Sequence, residues 1–351
     1  MERLWLKLVQ RGSDTREMRR GLVILLAAVC TLAAAPAAEA ASWAQPQIEI
    51  VVEHGLMGPS ATEFRPGQPL TRAELGYALA ALTGEAQVVV DPDRAVTVAE
   101  LDRKLVVYLG LEGEARRFRH VVGDAGLRPP RRLGTETVAR LLRLRFNHPA
   151  AHDDRELRPR DPVTRAETAY SLARVLALAQ WELDNVRTLA GSFSLPTMSA
   201  WRDRVLTRAV RFVGYPYVWG GTSEHPQVLF GVPDDGGFDC SGFVWRVYKH
   251  PFADGGSLAE VIQGRTTYEM SGEVPKSARI GRAFIRPADV LFFGARGRDS
   301  QPSEVDHTGI YLGHGWMIHS SSQGVTLVPL AGWYADRFAW ARRPLREAGL
   351  T

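Results

Sequence analysis

One phrase of this chain occurs twice. Phe64-Arg65-Pro66-Gly67-Gln68-Pro69-Leu70-Thr71-Arg72-Ala73-Glu74 returns as Leu157-Arg158-Pro159-Arg160-Asp161-Pro162-Val163-Thr164-Arg165-Ala166-Glu167. Fainter copies lie between, at Val96-Thr97-Val98-Ala99-Glu100 and at Leu127-Arg128-Pro129 running into Leu133-Gly134-Thr135-Glu136. Each reads as a proline-bearing loop, a threonine or similar cap, a glutamate three residues on, and an apolar-periodic helix. The first helix carries Leu75, Leu79 and Leu82; the last carries Tyr170, Leu172, Val175, Leu176 and Leu178. Such units bury their helices against one another rather than alone. Residues 43–185 are therefore expected to form a mainly α-helical repeat domain.

Ala190-Gly191-Ser192 and Leu195-Pro196-Thr197 interrupt helical periodicity, so 186–198 reads as a linker. A helix is expected from Met198 through Phe212, and then strands and glycine-rich turns prevail. Leu291-Phe292-Phe293 is a short buried strand, His307–Leu312 and Trp316–Ser320 are hairpin arms around Gly313-His314-Gly315, and Val325–Leu330 is a further strand. Helix followed by an antiparallel meander is α+β. With 351 residues, 45% of them hydrophobic, two domains and a leader fit the length.

The leader reads as an export signal. Arg16, Arg19 and Arg20 precede the apolar run Gly21–Leu32, and Ala38-Glu39-Ala40 supplies a small-x-small cleavage pattern. Residues 1–40 are expected to leave on secretion to the bacterial wall or medium; the alternative is an uncleaved anchor. The formal net charge is +4, and Lys7, Lys104, Lys249 and Lys276 are the only lysines. No basic run is long enough for a nucleic-acid arm.

The chain has two cysteines, Cys30 in the apolar leader and Cys240. Removal of the leader leaves Cys240 without a disulfide partner. Gly236-Gly237 marks a loop before it, and Phe243-Val244-Trp245 begins a helix after it. A cysteine at a helix N-terminus has its thiolate stabilised, so a lowered pKa and a nucleophilic role are expected. The alternative is a buried structural thiol.

A nucleophilic thiol needs a base, and the base an orienting partner. His307 opens one hairpin arm and His319 closes the other. A three-residue loop at 313–315 sets residue 312 opposite 316 and 309 opposite 319, which brings His307 and His319 to one face as diagonal neighbours. A two-residue loop would separate them onto opposite faces. His314 falls at the exposed tip, and no acidic residue follows at metal-ligand spacing, so no metal or other cofactor is expected.

The Thr-Arg-Ala-Glu phrases resemble S-layer homology modules. That resemblance implies binding of an anionic wall polymer, with Arg72 and Arg165 at the motif arginine. Tyr215-Pro216-Tyr217-Val218-Trp219-Gly220-Gly221, Asp239-Cys240-Ser241-Gly242, Pro287-Ala288-Asp289-Val290-Leu291-Phe292-Phe293, His307-Thr308-Gly309-Ile310-Tyr311-Leu312-Gly313, Met317-Ile318-His319 and Ala341-Arg342-Arg343 follow in one order. Together they resemble the NlpC/P60 family of papain-like cysteine peptidases over about residues 200–345. The resemblance implies a papain-like domain at 199–351, with Cys240 as nucleophile, His307 as base and His319 as third polar residue. It also implies substrate contacts from Tyr217, Asp239 and Ser241, with Asp239 holding a free amino group. The implied reaction is hydrolysis of the γ-D-glutamyl–diamino acid bond of peptidoglycan stem peptides. Alternatives are a catalytically inactive wall-binding scaffold and a thiol-dependent acyl transferase or amidase. Two departures stand out: the insertion His225–Gly237, and Gly264-Arg265-Thr266-Thr267-Tyr268 in place of the usual leucine-proline-arginine segment.

Overall fold

A computed structural model describes residues 42–148, 156–254 and 256–350. The expected leader, 1–40, and its Cys30 lie outside the described residues. The N-terminal part holds α1 (Gln45–Glu53), α2 (Arg72–Thr83), α3 (Val98–Tyr108), α4 (Glu112–Asp124), α5 (Leu133–Leu141), α6 (Arg165–Leu176) and α7 (Gln180–Ser192). Thr71, Thr97 and Thr164 cap α2, α3 and α6, each accepting from the N–H of the glutamate three residues on. Their loops close a ring. The Leu70 N–H donates to the Val163 carbonyl, Val163 to Val96, and Val96 to Leu70, each at 2.9 Å. Each loop thus satisfies backbone groups of the next, and the faint copy at Val96 is a full member.

The copy at Thr135 is not a member. Its helix, α5, begins before the threonine and has no side-chain cap, and the Thr135 hydroxyl bonds back to the Arg132 carbonyl at 3.0 Å. What that segment provides is close packing. A Cβ on Gly134 would sit 1.8 Å from the Ala115 carbonyl oxygen of α4. The expected linker is also half helical, because α7 continues to Ser192. Gly191 and Ser192 occupy its last turn, where low helix propensity costs little. Phe193 beyond it is fully buried, edge-on to Trp316 at 4.6 Å and tilted against Phe118 at 5.1 Å.

The C-terminal part begins with α8 (Ala200–Val210), followed by β1 (Thr222–Ser223), β2 (Gln227–Leu229), β3 (Val232–Asp234) and β4 (Gly237–Phe238). Next come α9 (Cys240–Lys249), α10 (Leu258–Val261) and α11 (Thr267–Gly272). Then follow β5 (Val290–Gly294), β6 (Val305–Gly313), β7 (Trp316–Ser321), β8 (Gly324–Pro329), α12 (Trp333–Arg337), β9 (Phe338–Arg342) and α13 (Pro344–Glu347). The main sheet is antiparallel in the order β8-β7-β6-β5-β9. The α+β class is as the sequence predicts. The apolar face of α9 (Phe243, Val244, Val247 and Tyr248, all fully buried) lies in the core that it shares with Ile310, Leu312 and Ile318 of the sheet.

The helical part reaches into the C-terminal part through its polar groups. Arg140 of α5 donates to the Gly214 carbonyl at 2.6 Å. Arg132 donates to the carbonyls of Val213 and Arg211. Asn147 brackets the backbone of Tyr217, accepting from its N–H at 2.8 Å and donating to its carbonyl at 3.1 Å. No helix of the described residues is long and apolar enough to cross a membrane.

Candidate active site

Cys240 is the first residue of α9, capped by Asp239, whose carboxylate accepts from the Gly242 N–H. At that position the Cys240 N–H has no acceptor within the helix. Gly242 is required by contact: a Cβ there would lie 1.9 Å from the Gly221 carbonyl oxygen. The helix start is thereby pressed onto the Gly220-Gly221 turn. Cys240 is almost buried, at 8% exposure.

That burial reverses one expectation. Desolvation pushes the Cys240 thiol up to about 12, and the Asp239 charge adds to the effect. The N–H groups of Ser241 and Thr308 and the charge of Arg265 pull the other way without prevailing. Burial thus favours the thiol over the thiolate. The Thr308 N–H also places the sulfur beside the strand that carries His307.

The hairpin finds the expected face by an unexpected route. Its tip is a two-residue turn, with Gly313 opposite Trp316. His314 and Gly315 both have positive φ, 45° and 79°, as a type I′ turn demands. A bulge between Tyr311 and Gly313 absorbs one residue, so Tyr311 pairs with Met317 and Ile310 with Ile318. The bulge restores the alternation that a short tip alone would have inverted. His307 and His319 meet, with Nε2 of His307 2.8 Å from Nδ1 of His319. Their rings are nearly perpendicular, with centroids 5.0 Å apart. His314 stands at the exposed tip, its Nδ1 3.1 Å from the Ser194 hydroxyl.

Burial pushes His307 down to about 4, with the Asp306 carboxylate opposing and Arg337 assisting. His319 is fully buried and held well below its ordinary value by burial and by His307. Burial favours the neutral form of His319, and a neutral His319 fixes the tautomers. If its Nδ1 accepts from His307 Nε2–H, the His307 Nδ1 is left unprotonated and able to take a proton. His319 then carries its hydrogen on Nε2, which faces the Tyr334 hydroxyl at 3.5 Å. Tyr334 also stacks edge-on against His319 at 5.1 Å. No sequence signal singles out Tyr334, which sits on the short helix α12.

Asp239 is fully engaged. One oxygen accepts from Gly242 N at 2.5 Å, Ser241 Oγ at 3.0 Å and Arg265 Nη1 at 3.1 Å; the other accepts from Gly220 N at 3.0 Å and Arg265 Nη2 at 2.8 Å. Ser241 Oγ in turn accepts from Arg265 at 2.8 Å. The residue expected to hold a free amino group of the substrate, Asp239, is already paired with the Arg265 guanidinium through both oxygens. Arg265 lies in the segment that departs from the family pattern, which was the only hint of its place. Burial and the nearby Cys240 and Asp239 hold the Tyr217 hydroxyl above its ordinary range. The insertion forms the β2–β3 hairpin, and a Cβ on Gly220 would lie 2.9 Å from the Phe230 ring.

Arg72 and Arg165 sit apart from this site, in the threonine-capped ring. Arg72 pairs with Glu100 at 3.0 Å. Arg165, 4% exposed, pairs with Glu74 and donates to the Phe64 carbonyl at 2.7 Å. Each motif arginine meets the glutamate of a neighbouring motif, so neither presents an uncommitted charge. Among the described residues, no group of His, Cys, Asp or Glu could hold a metal ion.

A buried sulfur at a helix start beside a paired-histidine hairpin, on an antiparallel sheet, defines a papain-like thiol site. Residues 214–343 match the NlpC/P60 family and residues 37–75 match the S-layer homology domain. The chain thus carries an NlpC/P60 domain behind an S-layer homology segment. It is 30% identical to a γ-D-glutamyl-L-lysine dipeptidyl-peptidase of Bacillus cereus, over 43% of this chain and 38% of that one. It is 31% identical to the murein DD-endopeptidase MepH of Escherichia coli, over 39% of this chain and 44% of that one. The chain therefore spans less than half the length of these relatives. A crystal structure of an NlpC/P60 family protein from Bacillus cereus is similar at 25% identity and a TM-score of 0.32, covering 44% of this chain and 43% of that one.

Proposed function

We propose that the protein is a peptidoglycan hydrolase of the bacterial cell wall that cleaves the γ-D-glutamyl–diamino acid amide of stem peptides through Cys240. The observation that carries this reading is the His307–His319 hydrogen bond, which leaves one imidazole nitrogen free beside the strand that contacts the sulfur. His307 Nδ1 takes the thiol proton as Sγ attacks the amide carbonyl carbon. The resulting oxyanion meets the unpaired N–H of Cys240. Collapse of the adduct breaks the C–N bond, and His307 returns its proton to the departing amine. Water then attacks the thioester, giving a proton to His307, and the acid leaves as the thiol re-forms. His319 stays neutral throughout and orients the base.

Asp239 refines the choice of substrate. Neutralised by Arg265, it gives little attraction to a free amino terminus, so the reading is an endopeptidase acting on untrimmed stems. The S-layer homology segment supports wall localisation, and the partners are the stem peptides and an anionic wall polymer. Incubating the protein with purified sacculi and identifying released peptides by mass spectrometry tests this. Cleavage at the γ-D-glutamyl bond, abolished in a folded Cys240→Ala variant, is the expected result. Digestion that survives C240A removes the thiol from the mechanism, and no digestion by the parent protein leaves a wall-binding scaffold.

A further inference from the structure

One arginine-rich cavity is lined by neither motif arginine and contains none of Cys240, His307 and His319. It encloses about 580 Å3 at the seam between the helical part and the NlpC/P60 domain. Arg132, Arg160, Arg208, Arg211 and Arg246 line it, with Glu224 as the one carboxylate among the described lining residues. Glu224 is spent on Arg246, in a two-pronged pair at 2.7 Å on each arm. Arg132 and Arg208 donate only to backbone carbonyls, which fix the guanidinium planes without neutralising them. Among the described residues, the side chains of Arg160 and Arg211 make no hydrogen bond or ion pair. The mutual repulsion is physical: burial together with Arg246, Arg204 and Arg211 pushes Arg208 down to about 10. Arg132, Arg160, Arg208 and Arg211 face the cavity with no carboxylate bonded to any of them among the described residues, and guanidiniums so gathered repel unless an anion enters.

We propose that this seam cavity binds a phosphate-bearing anion, either free phosphate or a phosphodiester chain. The warrant is chemical. Planar guanidiniums pair two-pronged with phosphate oxygens. The cavity is also larger than one ion needs, which favours several phosphates over one. Its walls come from both parts of the chain: Arg132 and Arg160 on one side, and Arg208, Arg211 and Arg246 on the other. An anion bound there clamps the helical part to the NlpC/P60 domain and raises its melting temperature.

The test is calorimetric titration and thermal melting of the whole protein near physiological salt, with three probes: inorganic phosphate, a glycerol-phosphate oligomer and polyglutamate. Because the side chains of Arg160 and Arg211 bond to nothing among the described residues and repel their neighbours, Arg160→Ala, Arg211→Ala and the double variant should melt at or slightly above the parent when no probe is present. Each substitution is expected to weaken phosphate-probe binding about tenfold. Tight binding of the oligomer identifies a phosphodiester chain as the source, and binding of inorganic phosphate alone identifies the free ion. Polyglutamate binding equal to either overturns the phosphate assignment. No probe binding, or binding indifferent to R160A and R211A, overturns the site. Peptidase activity is not read in this experiment, so its outcome is independent of the fate of Cys240.

Discussion

At His307 the chemistry turns on which nitrogen is free. A carboxylate partner would raise the imidazole pKa and favour the cation. His319, neutral and buried, orients the ring without adding charge, so burial keeps His307 low, at about 4. His307 must be neutral to accept the thiol proton. The acid limb of kcat/KM is therefore expected close to 4, with activity sustained through neutrality, and a pH–rate profile on a soluble stem peptide measures it. A limb at or above the ordinary histidine value of 6.5 would contradict the burial argument. Replacing His319 with Ala should lower kcat by about a hundredfold, because the base loses its fixed tautomer. Tyr334→Phe should cost less, as it removes only a partner at 3.5 Å. The residue types were legible in sequence, since an isolated cysteine and two histidines on paired arms stand out. The protonation states were not legible, because they depend on how many atoms of other segments exclude water from the sulfur and the rings.

At the scale of elements, α9 and the β6–β7 hairpin position the site. Gly242 lets α9 lie on the Gly221 carbonyl with no side chain between. Gly242→Ala should displace the helix start and destabilise the fold by about 1–3 kcal/mol, with turnover falling more than stability. Denaturant melts and stem-peptide kinetics on one preparation separate the two losses. The hairpin shows how far spacing reaches. Alternation and two flanking glycines placed His307 and His319 on a common face. They could not reveal that a two-residue turn plus a bulge does the work of a three-residue loop, since both routes consume the same number of residues. The threonine-glutamate phrases were legible as caps because capping is local. The exception at Thr135 arose because the preceding Leu133-Gly134 packs on α4 and starts its helix early.

At the scale of the molecule, a buried charge cluster joins the helical part to the NlpC/P60 domain. Glu136 of α5 faces Asp102 of α3 and lies against Gly214, while Arg140 of the same helix holds the Gly214 carbonyl. Burial, then Asp102, pushes Glu136 up to about 8 from 4.5. The folded state keeps a proton that the unfolded chain has released across that window. The contribution of Glu136 is thus complete below about pH 4.5 and is lost as pH rises through about 8. Glu136→Gln cannot ionise, so it should raise Tm by a few degrees at pH 8 and leave it nearly unchanged at pH 5, as read by thermal melts across pH. A larger gain at pH 5 than at pH 8 would reverse the assignment. Local patterns by themselves determined the capped helices, the α+β order and the cysteine–histidine residue set, because capping, alternation and turn chemistry act over a few neighbouring residues. Only the tertiary structure decided that Arg265 neutralises Asp239, that Arg72 and Arg165 are spent on glutamates, that Asn147 holds the Tyr217 backbone, and that five arginines converge on one seam. Those outcomes depend on distances between segments remote in sequence, and burial there sets the strength of every charge.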